Sequence, residues 1–270
     1  KMAEWLNEAL KNNDQRILLL SFRNSGKSTV LGLYSAWRIY LNPDLRILVL
    51  SGERELAKKM VRNVRAILDR HIVTVRRFQG KKEQWAADQF TVNRPSILRD
   101  PSMLAKGIEG NVTGNRADLL IFDDVEVPNT CDTANKRRLL RRRIDEARYV
   151  LTPQGVHIVI GTPHTFFSIY SETGSVDDLN GRSILSGYHR IEIPITDKSG
   201  RSNWPERFPS ERIEAIRRET GPSKFASQML LQPANPRESR FCLSNIRPYD
   251  EDLEYKIGNG EAFLRLGGKR

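Results

Sequence analysis

An α/β architecture, a mostly parallel sheet with helices on both faces, is predicted by three observations on the 270-residue chain. Continuous apolar runs of strand length recur through residues 1–195. Stretches with helical spacing of apolar residues alternate with them. The runs are apolar at successive positions, as strands buried on both faces of a parallel sheet must be.

Trp5, Leu6, Ala9 and Leu10 share one helical face, and Asn12-Asn13-Asp14 ends that helix before the apolar run Arg16 to Leu20. From Val30 to Leu41 the spacing is again helical, with Asn42-Pro43 as the stop. Arg46 to Ser51 reads as a second buried strand, and Glu53 to Arg70 as a helix with Leu56, Met60, Val64 and Leu68 inward. Residues 71–114 are less regular, with short β-like pieces near Phe90 to Val92 and at Ile97-Leu98. A third buried strand, Asp118 to Asp124, ends in carboxylates; Thr133 to Val150 is helical, Val156 to Ile160 is a fourth strand and Tyr188 to Ile195 alternates like a fifth.

After Thr196 the pattern changes to Pro-bounded helical pieces, Pro209 to Thr220 and Pro222 to Leu231. The expected division is a core over 1–195, a small lid or linker subdomain over 196–245 and a connection over 246–270, where little helix or strand continuity is expected. No apolar run approaches the ~20 residues of a membrane span. The N-terminus lacks the layout of a secretion signal, so a cytoplasmic location is expected. Cys131 and Cys242 are far apart, and the four histidines are scattered, which argues against a disulfide framework or a structural metal. A net charge of +11 favours a polyanionic partner.

The chemistry concentrates at the strand ends. Ser21-Phe22-Arg23-Asn24-Ser25-Gly26-Lys27-Ser28-Thr29 matches the phosphate-loop pattern G-x-x-x-x-G-K-[ST], with Ser21 in the first Gly position. A buried strand precedes it and a helix follows, so backbone N–H groups can cradle phosphate at the helix N-terminus. Lys27 would neutralise the terminal oxygens, Ser28 would place its hydroxyl on Mg²⁺, and Thr29 would support the turn or touch the inner phosphate. Asp123 and Asp124 close the third strand in a Walker B arrangement: Asp123 to hold the water shell of Mg²⁺, Asp124 to orient or deprotonate the attacking water, with Glu126 as a rival base. The alternative is a solvated acidic strand end. Thr162, in Gly161-Thr162-Pro163 after the fourth strand, could sense the γ-phosphate, or the tripeptide could be a plain turn. Arg23, inside the loop, is a candidate cis arginine finger, and Arg116, just before the Walker B strand, could reach a neighbouring subunit's nucleotide or be a surface arginine. The basic run Lys136, Arg137, Arg138, Arg141, Arg142 and Arg143 could face DNA, a neighbour's acidic surface, or solvent. Together the motifs and the element order predict the P-loop NTPase fold of the ASCE (RecA-like) type, with a small appended C-terminal subdomain.

The string Ser21 to Thr29, Gly114-Asn115-Arg116-Ala117-Asp118, Asp123-Asp124-Val125-Glu126-Val127-Pro128 and Gly161-Thr162-Pro163-His164 resembles the ATPase domain of the large terminase subunit, the DNA-packaging motor of tailed bacteriophages, and podophages in particular. Gly221 to Pro233, with Phe225, Gln228 and Pro233, is similar to the helix closing that family's lid. The resemblance implies ATP and Mg²⁺ as ligands, double-stranded DNA as cargo, and a homo-oligomeric ring assembled on the portal protein with the small terminase subunit, in the host cytoplasm and without a membrane. It carries finger roles onto Arg23 and Arg116, and a coupling motif onto Gly161, Thr162 and Pro163. The family's catalytic acid is often Glu where this chain has Asp124, which leaves the base open between Asp124 and Glu126. The family's nuclease domain has no room here, so the chain reads as a fragment ending where it would begin. Competing functions are a helicase-like DNA-dependent ATPase, for which the residues after Ile195 are too few to form a second RecA-like domain, and a non-hydrolysing P-loop assembly switch.

Overall fold

The computed structural model describes residues 1–78, 85–172, 178 and 181–233, with the backbone of 253–258 and 261–266. Residues Lys1–Ala234 form one compact unit and Asn235–Arg270 another. The first unit runs α1 (Met2–Lys11), β1 (Arg16–Ser21), α2 (Lys27–Leu41), β2 (Ile47–Ser51), α3 (Arg54–Arg70), α4 (Ile72–Val75), β3 (Gln89–Phe90) and β4 (Met103–Gly107). It continues with β5 (Ala117–Asp123), α5 (Pro128–Cys131), α6 (Ala134–Arg148), β6 (Leu151–Gly161), β7 (His189–Ile193), α7 (Ser210–Thr220) and α8 (Pro222–Gln228).

The seven strands lie in the order β3-β4-β2-β5-β6-β1-β7, parallel except for β3, which pairs antiparallel with β4. Because β6 lies between β1 and β5, the segment after each of these three strands arrives at one edge of the sheet. The register aligns Leu20 with Gly161 and Asp123 with Ile160, which fixes the loop after β1, the turn after β6 and the carboxylates that end β5 at nearly one level.

Side-chain alternation explains why the strands read as unbroken apolar runs. Ile17 and Leu19, Ile47 and Val49, Leu119 and Ile121, Ile158 and Ile160 enter a core against α1, α2 and α3. Their neighbours Leu18, Leu20, Leu48, Leu50, Leu120, Phe122 and Val159 enter a second core with Leu140, Ile144 and Ala147 of α6. A third, smaller core joins Phe22 and Ile195 to Phe208, Ile213, Phe225 and Met229 under α7 and α8. The Pro-bounded helices of the expected lid are therefore anchored on Phe22, the second residue of the phosphate-loop string.

Several expectations are corrected. Ile97-Leu98 is not a strand, and Ile97 is fully exposed; the strand of that region is β4, where Lys106 breaks the apolar run. The fourth strand starts at Leu151, earlier than periodicity indicated, and the irregular pairing between Ala117 and Leu119 absorbs the extra length. In the second unit, β8 (Leu253–Gly258) and β9 (Glu261–Leu266) pair as an antiparallel hairpin, in a stretch read as lacking strand continuity. The expected boundary at 245/246, and Cys242, lie outside the described residues. No helix of the described residues is long and apolar enough to cross a membrane.

Candidate nucleotide site

The phosphate loop forms because its backbone takes two left-handed residues: Asn24 at φ 67° and Gly26 at φ 82°. Gly26 caps α2 in that conformation, a position that costs an L side chain strain even though a Cβ there would meet open space. The loop thus delivers the N-terminus of α2, with its free N–H groups and positive dipole end, to the sheet edge. A cavity of about 570 Å³ lies over it, lined by residues 23–29, Glu53, Leu56, Asp124, Val127, Pro128, Thr162, His164 and Gln228.

Lys27 is only 8% exposed, and its ammonium holds the centre of the cluster. Its Nζ lies 2.9 Å from Thr162 Oγ1 and 3.1 Å from Asp124 Oδ2. Thr162 in turn donates to the Ser21 carbonyl at 3.0 Å, so one hydroxyl ties the turn after β6 to both ends of the loop. Gly161, just before that turn, leaves room for the buried Tyr170 ring: a Cβ there would fall 2.2 Å from the Tyr170 hydroxyl.

Ser28 Oγ donates to Asp123 Oδ1 at 3.0 Å. Burial pushes the Asp123 carboxyl up to about 7; the negative charge of Asp124 adds to the shift, while the Ser28 hydrogen bond and Lys27 oppose it. Asp124 takes a left-handed backbone at φ 45°, uncommon for a residue other than glycine, and its buried Oδ1 has no hydrogen-bond partner among the described residues. This turn of the chain brings two consecutive carboxylates to the same side, which strand alternation alone would forbid. A hydroxyl and a carboxylate oxygen in contact, beside an unpaired second carboxylate oxygen, form a hard-oxygen donor set that fits Mg²⁺.

Glu126 is placed elsewhere. It is fully buried, and its carboxylate accepts from His164 N at 2.7 Å, Ser168 Oγ at 2.9 Å and Ile169 N at 2.8 Å. Burial raises its pKa, and these donors counter the shift. It clamps the segment after β6 and does not line the cavity. Arg116 also stands apart: it is exposed, bonded to the Asn115 carbonyl, at the start of β5. Seven residue steps separate it from Asp123 at the other end of that strand, about 23 Å at the rise of an extended chain, so it does not reach its own chain's loop.

Arg23 does line the cavity, with its guanidinium Nη1 3.4 Å from Gln228 Oε1. Gln228 and His164 entered the sequence reading only inside longer family-like strings; neither type or spacing marks them as site residues. Burial lowers the His164 pKa, and Arg23 and Lys27 oppose its protonation while Asp124 favours it. Of the basic run on α6, Arg141 is buried and paired with Asp178 and the Phe167 carbonyl, so it is a core residue and not a surface cation. Arg137 stacks on Phe167, Arg143 pairs with Glu109, and Lys136 pairs with Asp132.

The chain is 30% identical over 257 residues, 92% of its length, to the large terminase subunit of Enterobacteria phage T3. The chain is thus similar to part of a phage large terminase subunit. The chain spans 40% of the T3 protein's length. Among solved structures, the large terminase ATPase domain of Thermus phage P74-26 superposes with a TM-score of 0.51 at 14% identity, covering 82% of this chain and 89% of that domain. The fold is therefore that of a terminase ATPase domain, a P-loop NTPase fold. No family model matches the chain.

Proposed function

We propose that this chain hydrolyses ATP with Mg²⁺, and that the hydrolysis drives double-stranded DNA into a phage procapsid. The observation that carries the reading is the convergence of Lys27 on Asp124 and Thr162 at the mouth of a phosphate loop, in a relative of a phage large terminase. Lys27 and the N–H groups of the loop bind the phosphates. As Lys27 turns to the phosphate oxygens it releases Asp124, whose carboxylate then orients and deprotonates the attacking water. Thr162 keeps contact with Lys27 and so reads the phosphate state into the β6 turn. Ser28 and Asp123 would hold Mg²⁺, which when bound supplies positive charge to the phosphate oxygens. Arg23 supplies a further positive charge from within the same chain.

Glu126, saturated by its own clamp, is a positioning group, and the base is Asp124. Arg116 serves only across a subunit boundary in a ring, or faces DNA. The portal protein, the small terminase subunit and double-stranded DNA are the proposed partners, and the host cytoplasm the proposed setting. A phosphate-release assay with Mg²⁺ and ATP, with and without double-stranded DNA, tests this. Turnover that requires Mg²⁺ and rises with DNA is expected; a folded chain that binds ATP and releases no phosphate would instead be a nucleotide-dependent assembly switch.

A further inference from the structure

The third core brings α8 against the phosphate loop through Phe22 and Phe225, leaving the last residue of that helix, Gln228, at the cavity wall. Three hydrogen bonds converge there. The Arg23 backbone N–H donates to the Gln228 carbonyl at 2.9 Å. The Arg23 guanidinium donates to Gln228 Oε1 at 3.4 Å, and Gln228 Nε2 donates to the Pro163 carbonyl at 3.1 Å. The orientation of this amide is forced by its partners, because a guanidinium only donates and a carbonyl only accepts. One side chain from the lid therefore spans the phosphate loop on one side and the Thr162-Pro163 turn on the other.

We propose that Gln228 is a positioning residue for ATP hydrolysis: it sets the reach of Arg23 and holds it in register with the Thr162-Pro163 turn. The guanidinium has five N–H donors and gives one nitrogen to Gln228, so the remainder stay available to a phosphate. A long arginine left unanchored loses that pre-organisation to rotamer freedom. The inference rests on the reading that Arg23 acts on the γ-phosphate within its own chain.

Leucine keeps the bulk of Gln228 but neither hydrogen bond; glutamate keeps the acceptor for Arg23 and loses the donor to Pro163. We expect Gln228→Leu to lower kcat for ATP by roughly 10- to 100-fold while KM changes little, since a small misplacement of a charge-stabilising group acts on the transition state. Gln228→Glu should retain more activity than Gln228→Leu. In a double-mutant cycle, Gln228→Leu should have no further effect on kcat in the Arg23→Ala background. If Arg23→Ala leaves kcat intact, the cis role of Arg23 fails. If Arg23→Ala lowers kcat and Gln228→Leu does not, or lowers it by the same factor in both backgrounds, the positioning role fails and the cis role stands. Should Gln228→Leu not fold, Gln228→Glu carries the same cycle through its smaller loss, and equal losses in the two backgrounds overturn the proposal.

Discussion

The two edges of the same parallel sheet both carry ionic clusters, and they are built in opposite ways. At the N-terminal edge, Asp118 accepts two bonds from the Arg46 guanidinium, one from the Arg46 backbone and one from Thr152. Both Asp118 oxygens are used, and those contacts with Arg46 and Thr152 outweigh desolvation to hold the Asp118 carboxyl below its ordinary range. At the C-terminal edge, Asp123 is pushed the other way, to about 7, and Asp124 keeps a buried oxygen with no partner among the described residues. A saturated cluster ties strands together. An under-satisfied one holds charge in a costly arrangement that a ligand can relieve, and this contrast separates function from scaffold in a sheet whose charged residues look alike in sequence.

The largest effect should follow from breaking the C-terminal cluster at its centre. Lys27→Ala should lower turnover by about 10³-fold or more, because it removes the cation that faces the phosphate, and should leave the fold intact. Circular dichroism and phosphate release on one sample check both halves. Glu126→Gln separates positioning from chemistry: an amide NH₂ set among three donors should destabilise by about 1–3 kcal/mol in denaturant unfolding. Turnover per folded molecule should be reduced but measurable. Complete loss with ATP binding retained would return the role of base to Glu126.

At the other edge, Arg46→Ala should destabilise by about 1–2 kcal/mol, since the pair is partly exposed, with no change in kcat. The smallest effect is a pH dependence. Asp118 has its pKa lowered by folding, so the stability it supplies is present above the unfolded value of about 3.9 and is lost as pH falls through the folded value. Thermal unfolding of the native chain and Asp118→Asn should differ at pH 6 and converge in strong acid; a gap that widens on acidification would contradict the assignment.

The buried strands were legible because unbroken apolar runs have few other physical meanings, and the phosphate loop because its residues need a strand before and a helix after. What sequence hid was tertiary. Lys106 disguises β4, and the runs on either side of Asn259-Gly260 read as irregular although that dipeptide favours a hairpin turn. Glu126 looked equivalent to Asp124 because spacing says nothing about which carboxylate finds backbone N–H partners 38 to 43 residues later. Arg141 sat in a surface-like basic run, and only packing against Asp178 shows that it is interior. Gln228 stood out in sequence only as part of a lid-like string, since its contact with Arg23 spans 205 residues.

The division of labour between the two edges is tested most directly at Asp124. Phosphate release and ATP binding should be measured side by side on Asp124→Asn and the native chain with Mg²⁺. The expected result is a loss of turnover of about 10²–10⁴-fold with ATP affinity retained, as for removal of a general base. Turnover near the native rate in a folded Asp124→Asn chain would contradict it.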